Sequence, residues 1–326
     1  LGGDYLSLSR LITHVESDGP QVQELMGRVF PLTGRARLIG VTGPPGAGKS
    51  TLVDAMTAGY RAAGLTVGIL AFDPSSPFTG GAVLGDRLRM QRWATDPGVF
   101  IRSLATRGHL GGLSPAARGV ARLLDAAGFD VVLIETVGAG QSEIEIMDLA
   151  HTVVLVLAPG AGDDIQAQKA GILEIADVLA VNKADLAGAA MLAGQLESVL
   201  DLAPSRPPWR PPVLQVVARE NRGVDRVLDT CADHLSWLCA EGRLHARSVR
   251  RIEDEVAGLV GRIAAASLVK EAREAGRWGP LIQDVVQKRT EPRAAALLLW
   301  ERLRPQHGGG TDIAPGDDGS CGEGSR

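Results

Sequence analysis

The chain has little of what would tie it to nucleic acid. Aromatic residues make up 4% of its 326 positions, too few for a stacking platform for single strands. Lys and Arg number 34 against 38 Asp and Glu, a formal net charge of −4, so there is no general attraction to a polyanion. Cysteine is scarce as well. Cys231, Cys239 and Cys321 are odd in number and widely spaced, which excludes a disulfide framework. Cys231 and Cys239, eight apart, could share a face of one helix. They read as small buried apolar residues rather than a metal pair, because no CxxC or clustered His accompanies them. A reducing cytoplasm is the expected compartment. No basic stretch followed by an apolar run opens the sequence, so no signal peptide is expected. The strongest apolar run, Val153–Ala158, is far too short to span a bilayer, and no membrane partner is expected.

What is present is ordinary globular composition, 45% hydrophobic and 22% charged, at a length that suggests about two domains. Apolar residues at helical spacing over residues 5–30, interrupted by Asp18-Gly19-Pro20, predict N-terminal helices. From Arg37 short apolar runs alternate with helical stretches. Strands are expected at Leu38–Thr42, Thr66–Phe72, Val99–Leu104, Val131–Ile134, Val153–Leu157, Val178–Val181 and Val213–Val217. Helices are expected at Ser50–Ala63, Pro115–Ala127, Asp164–Ile175 and Ala189–Leu200. Several of the strands lack polar alternation, which predicts an α/β fold with a largely parallel sheet covered on both faces. The proline-rich Ala203–Pro212 reads as a stiff extended connection. After Gly223 the pattern is helical to about Arg304, with a Gly-, Asp- and Ser-rich tail beyond Gln306 that is expected to be disordered. The expected organisation is an N-terminal helical extension over 1–34, a nucleotide-binding domain over 35–230, a helical arm over 231–305 and the tail over 306–326.

The first chemical signal is Gly43-Pro-Pro-Gly46-Ala47-Gly48-Lys49-Ser50, between a strand and a helix. Gly46 and Gly48 let the backbone approach phosphate oxygens, and the loop amides and helix N-terminus face the anion. Gly43, Gly46, Ala47, Gly48, Lys49, Ser50 and Thr51 are therefore the phosphate-binding candidates. Lys49 supplies charge toward the β/γ phosphates and Ser50 a hydroxyl for Mg²⁺. The second signal is Asn182-Lys183-Ala184-Asp185, directly after a strand. The Asp185 carboxylate can accept from both the ring N–H and the exocyclic amine of guanine, a donor pair adenine lacks. The Lys183 stem can cover the base face, Asn182 can tie neighbouring loops together, and the Ala218 N–H is the candidate donor to the guanine carbonyl. On its own this tetrapeptide could be a helix N-cap; at the end of a strand downstream of the phosphate loop it is a strong signal.

The Glu135-Thr136-Val137-Gly138 segment ends a strand beside the phosphate loop, where Glu135 can hold Mg²⁺ through water and the Gly138 amide can sense the γ-phosphate. Glu135 could instead be a helix N-terminal charge. Ala139 follows Gly138, so a water-orienting Gln is missing there and slow intrinsic hydrolysis is expected. Asp73 and Asp86 lie on a polar, glycine-rich stretch that suits a mobile loop near Mg²⁺, or a plain solvated surface loop.

The segments GPPGAGKSTLVDA, AFDPSSPFTGGAVLGDRLRM, LIETVGAGQSE and APGAGDDIQAQKAGILEIADVLAVNKADL together resemble the MeaB/ArgK-type GTPases, over roughly Leu6 to Leu303. Those proteins belong to the SIMIBI class of P-loop GTPases and accompany adenosylcobalamin-dependent acyl-CoA mutases such as methylmalonyl-CoA mutase. The resemblance implies GTP/GDP and Mg²⁺ as ligands, a mutase as partner, and a homodimer made by the C-terminal helical arm. It implies Ser50, Asp86 and Glu135 at the Mg²⁺ site with Asp73 nearby, and switches at 73–89 and 135–143. It also implies a third switch at 158–169, in which Asp163, Gln166 and Lys169 fall at the D-x-x-Q-x-x-K spacing and Lys169 serves partner-stimulated hydrolysis. Lys49, Asp86, Glu135 and Lys169 are the catalytic candidates. One departure is Val217, where the family carries Ser. The rival readings are a transport-associated kinase or ATPase, disfavoured by the guanine reader, and a nickel or cobalt metallochaperone, disfavoured by the lack of Cys/His ligands near the switches; His109 and His151 stand alone.

Overall fold

Strands whose residues are apolar on both faces need cover on both sides. The computed structural model describes residues 4–17, 19, 21–73, 91–105, 115–136, 142–160, 173–202 and 208–303. Within them β1 (Arg37–Thr42), β2 (Val67–Asp73), β3 (Val99–Ala105), β4 (Val131–Glu135), β5 (Thr152–Leu157), β6 (Val178–Val181) and β7 (Val213–Gln215) form one seven-stranded sheet. Its order is β3-β2-β4-β1-β5-β6-β7 and every pairing is parallel.

Successive residues of a strand point to opposite faces, and the core divides accordingly. Ile39, Val41, Val131, Leu133, Val154 and Val156 pack on one face against α3 (Lys49–Ala62) and the later helix Val224–Cys239. Leu70, Phe72, Val132, Ile134 and Val153 pack on the other against α1 (Tyr5–Glu16), α4 (Pro115–Ala126) and α5 (Ser142–Leu149), with α2 (Val22–Val29) beside them. Leu155, Leu157, Leu179 and Val181 meet α6 (Ala189–Asp201). β1 lies between β4 and β5, so the chain leaves it toward opposite edges of the sheet. The carboxyl ends of these three strands flank that switch point, where open parallel sheets bind ligands.

Expected and observed elements agree to within a residue or two over most of the sheet. α5 was not expected, and β7 stops at Gln215 rather than Val217. Most of the helix expected at 164–175 and the tail after 306 lie outside the described residues; Leu173–Ile175 form a bend and turn. Among the described residues the C-terminal run holds four α-helices, α7 (Val224–Cys239), α8 (Arg243–Glu274), α9 (Trp278–Val286) and α10 (Pro292–Leu303), with a 3-10 turn at Ala240–Gly242 between the first two. Left-handed residues punctuate the run, Glu241 (φ 55°) and Gly242 (φ 69°), Gly276 (φ 67°), and Lys288 (φ 59°). The chain divides into two compact units at Arg247/Ser248. α7 belongs to the first, with Val224, Val227 and Cys231 in its core, and burial pushes the Cys231 thiol up to about 12. Cys239 on the same helix is exposed. Among the described residues no helix is long and apolar enough to cross a membrane.

At the amino ends of β5 and β6 a buried polar network fixes α7 to the sheet. His234 is 1% exposed, its Nδ1 lies 2.9 Å from Thr152 Oγ1, and its Nε2 lies 3.3 Å from Asp177 Oδ1. Asp177 Oδ2 accepts from the Val153 N–H at 2.8 Å, and its carbonyl accepts from Trp209 Nε1 at 2.8 Å, which anchors the proline-rich connection. These partners suit a neutral imidazole protonated at Nε2. Burial lowers the His234 pKa to about 4, with the Arg247 and His151 charges adding to the effect. In the unfolded chain the ring protonates near its ordinary value of 6.5. The unfolded state therefore binds more protons between these values, and the network's contribution is present above pH 6.5 and lost as pH falls toward 4. The linked loss is on the order of 3 kcal/mol. Denaturation at pH 7 and at pH 4.5 checks this: His234→Gln should show a smaller acid-induced loss of stability than the parent, and an equal loss would remove His234 from the account.

Candidate functional site

The loop after β1 is shaped by backbone that only glycine adopts easily. Gly46 has φ +76° and Gly48 φ +92°. Gly48 is also the N-cap of α3, and no described side chain caps the helix. The first-turn amides and the positive end of the helix dipole are therefore available to an anion. Among the described residues, a Cβ built on Gly46 would meet no atom within 4 Å beyond its chain neighbours. Lys49 is 7% exposed and folds over the loop, donating to the Gly43 carbonyl at 2.8 Å and the Pro44 carbonyl at 3.2 Å. A curved run of amides with one ammonium across it is a cradle for a polyphosphate.

Thr42, Ser50, Glu135 and Thr136 lie buried beneath the loop. Ser50 Oγ donates to Glu135 Oε1 at 2.6 Å, and the Thr42 and Thr136 hydroxyls lie 2.8 Å apart. Register explains the meeting. Glu135 is the last residue of β4 and pairs with Val41 of β1, while Ser50 lies in the first turn of the helix that follows β1. A hydroxyl and a carboxylate are hard oxygen ligands that fit Mg²⁺. Two protein oxygens are the usual share where phosphate oxygens and waters complete the shell.

The Asn-Lys-x-Asp segment leaves β6 toward the same loop. Asn182, 3% exposed, donates through Nδ2 to the Ala47 carbonyl at 2.9 Å. Its Oδ1 accepts the Ala218 N–H at 3.1 Å. One side chain thus joins the phosphate loop to the turn after β7. Lys183 takes the left-handed conformation (φ +58°) and donates from Nζ to the Gly46 carbonyl at 2.7 Å, which lays its stem along the site. The Ala184 N–H bonds the Val216 carbonyl at 3.0 Å. Asp185 Oδ2 accepts from Arg219 Nη2 at 2.8 Å.

Gly43, Gly46, Ala47, Gly48, Lys49, Ser50, Glu135, Asn182, Lys183, Asp185 and Ala218 are therefore gathered at the carboxyl edge of the sheet, and Thr51 stands exposed on the first turn of α3. Asp73 ends β2 beside β3, opposite Ala105. Asp86, Gly138, Asp163, Gln166 and Lys169 lie outside the described residues, as does His109. His151 is bound into the fold, its Nδ1 accepting from the Leu38 N–H at 3.2 Å. Arg219 was not anticipated. Its only signal was a cation next to the base-loop alanine, on a chain where arginines are common.

A parallel sheet with this loop after β1, a hydroxyl–carboxylate pair at the end of β4 and an Asn-Lys-x-Asp turn after β6 defines a P-loop GTPase. The chain belongs to the family described as methylmalonyl Co-A mutase-associated GTPase MeaB, whose model matches residues 8–274. It is 47% identical over 314 residues to a putative GTPase of Pyrococcus abyssi, covering 95% of this chain and 96% of that protein. It is 40% identical over 250 residues to the GTPase ArgK of Escherichia coli, covering 74% and 76%. A solved structure, a LAO/AO transport system kinase, superposes with a TM-score of 0.69 at 28% identity, covering 92% of this chain and 94% of that one. Guanine-nucleotide binding and hydrolysis of GTP to GDP and phosphate follow from this membership.

The two loop glycines separate binding from folding. A Cβ on Gly48 would sit 2.3 Å from Asn182 Nδ2, whereas one on Gly46 meets none of the described residues beyond its chain neighbours. Both alanine variants carry a left-handed strain of about 1–2 kcal/mol. Gly46→Ala and Gly48→Ala should each weaken GDP binding by about tenfold or more, as a Cβ enters the phosphate cradle. Only Gly48→Ala should also break the Asn182 bridge, lowering the thermal midpoint of the nucleotide-free protein further than Gly46→Ala does. Equal midpoints would refute the bridge as a structural tie.

Proposed function

We propose that this chain is a GTP-driven chaperone of an adenosylcobalamin-dependent acyl-CoA mutase, with methylmalonyl-CoA mutase the first candidate. It would gate loading or release of the cofactor and protect the mutase from inactivation. The observation that carries the reading is a guanine-reading segment bonded directly to the phosphate loop, in a chain whose family is described by its association with that mutase. A nucleotide site wired internally in this way suits a timer for a partner better than a metabolic hydrolase.

Lys49 would meet the β/γ phosphates of GTP, with Gly43–Thr51 wrapping them. Asp185 would read guanine, Lys183 would cover its face, and the Ala218 N–H would donate to the guanine carbonyl. Ser50 and Glu135 would hold Mg²⁺, with Asp73 and Asp86 on the adjoining segment. The ion would supply neutralisation of charge on the transferring phosphoryl group. With Ala139 rather than Gln after Gly138, and Gln141 displaced by two residues, the protein alone would turn over slowly. Gly138, Asp163 and Gln166 would report the nucleotide state to the partner. Lys169 would offset developing negative charge once the partner has docked.

We also assign a dimerisation role to the helical arm expected at 231–305, in its part beyond Arg247, since the residues before Ser248 belong to the nucleotide-binding unit. On α8, Val249, Ile252, Val256, Leu259 and Ile263 recur at alternating spacings of three and four, and all are 40% exposed or more. Such a stripe is the seam that a second helix covers. The working compartment would be the cytoplasm.

Purified chain mixed with apo-mutase in GDP and in a slowly hydrolysed GTP analogue tests the proposal. A nucleotide-dependent complex and a GTPase rate raised about tenfold or more are expected. Lys169→Ala should retain GTP affinity and lose the stimulation. Absence of both complex and stimulation would sink the chaperone reading, and a preference for ATP over GTP would favour the kinase named for the solved relative.

A further inference from the structure

The base-reading carboxylate has a partner that no motif requires. Asp185 Oδ2 accepts from Arg219 Nη2 at 2.8 Å, and no other described side chain donates to Asp185. Neither Val217 nor Ala218, the residues before Arg219, offers a side-chain donor, and both side chains are buried. Arg219 is itself held: Glu220 Oε1 accepts from its Nε at 3.3 Å and its Nη2 at 3.2 Å. The backbone beneath it is a closed turn. The Glu220 N–H bonds the Val217 carbonyl at 2.9 Å, Val217 and Arg222 exchange bonds at 2.9 and 3.3 Å, and Asn221 takes φ +57° to complete the ring.

The pair is exposed at the arginine end, 67% against 22% for Asp185. Ion pairs of that kind add little to folding stability, because solvent screens them. What this one supplies is direction. A carboxylate has two oxygens and about four acceptor positions. Guanine would take one on each oxygen, through its ring N–H and exocyclic amine, leaving an outer position on Oδ2 for Arg219. The three donors are compatible, and Arg219 sets the plane in which the other two must arrive. A single-donor base can be met by a carboxylate that has rotated, whereas the double contact requires the plane to be held.

Resting on the reading of Asp185 as the guanine acceptor, we infer that Arg219 is a positioning residue for base selectivity, orienting the Asp185 carboxylate for two-point recognition of guanine. Equilibrium titrations of the full chain and of Arg219→Ala with GDP, IDP and ADP test it; IDP keeps the ring N–H and lacks the exocyclic amine. A wild-type protein that does not prefer GDP to ADP would overturn the base-site reading itself. With that preference in place, Arg219→Ala should lower the GDP-to-IDP affinity ratio by roughly three- to tenfold, with the thermal midpoint of the nucleotide-free protein unchanged. Equal weakening of GDP and IDP would assign Arg219 general electrostatic attraction, and tighter GDP binding would make it a competitor. Either result would overturn the inference.

Discussion

Asn182 is the point on which the site depends. Its amide donates to the phosphate loop at Ala47 and accepts from the turn after β7 at Ala218, while its backbone N–H bonds the Leu157 carbonyl at 2.7 Å. A buried amide with a donor and an acceptor to place has few satisfactory positions, and leaving either end unpaired costs about 1–3 kcal/mol. The loop after β1, the end of β5 and the turn after β7 are thereby held in one arrangement. Phosphate binding and base reading share a keystone although their residues are far apart in the chain.

The local conformations follow from that constraint. Gly48 lacks a Cβ where one would collide with the Asn182 amide. Lys183 accepts a left-handed backbone so that Asn182 can turn inward while Asp185 stays 22% exposed beside Arg219. Strain of this kind costs on the order of 1–3 kcal/mol and persists where surroundings over-determine it. Here the Lys183 Nζ bond to Gly46 and the Ala184 bond to Val216 do so. Ser50 and Glu135 add a third tie, from the phosphate loop to β4, the strand that leads into residues 137–141. A change at the phosphates therefore has bonded routes to the base turn and to the end of β4.

Much of this was legible in the sequence, for definite reasons. Strands of uninterrupted Val, Ile and Leu announce a sheet buried on both faces, and β4, β5 and β6 fall where that pattern placed them. Gly43–Ser50 and Asn182–Asp185 are local motifs whose chemistry is carried by adjacent residues. α5 was missed because Glu143-Ile144-Glu145-Ile146 alternates with a period of two, a strand-like signal that tertiary packing of Ile146 overrides. The His234–Asp177–Thr152 network and the Arg219–Asp185 pair were invisible for another reason. Each joins residues tens of positions apart, and neither has a spacing that marks it.

The most direct test of the interlocked site is hydrogen–deuterium exchange of the full chain with and without inorganic pyrophosphate, a ligand that can fill the phosphate loop and cannot touch the base site. Protection is predicted at residues 43–51 and, together with it, at 178–186 and 216–220, because Asn182 and Lys183 carry the ordering across. Protection confined to 43–51, with the base segments exchanging as before, would contradict the account.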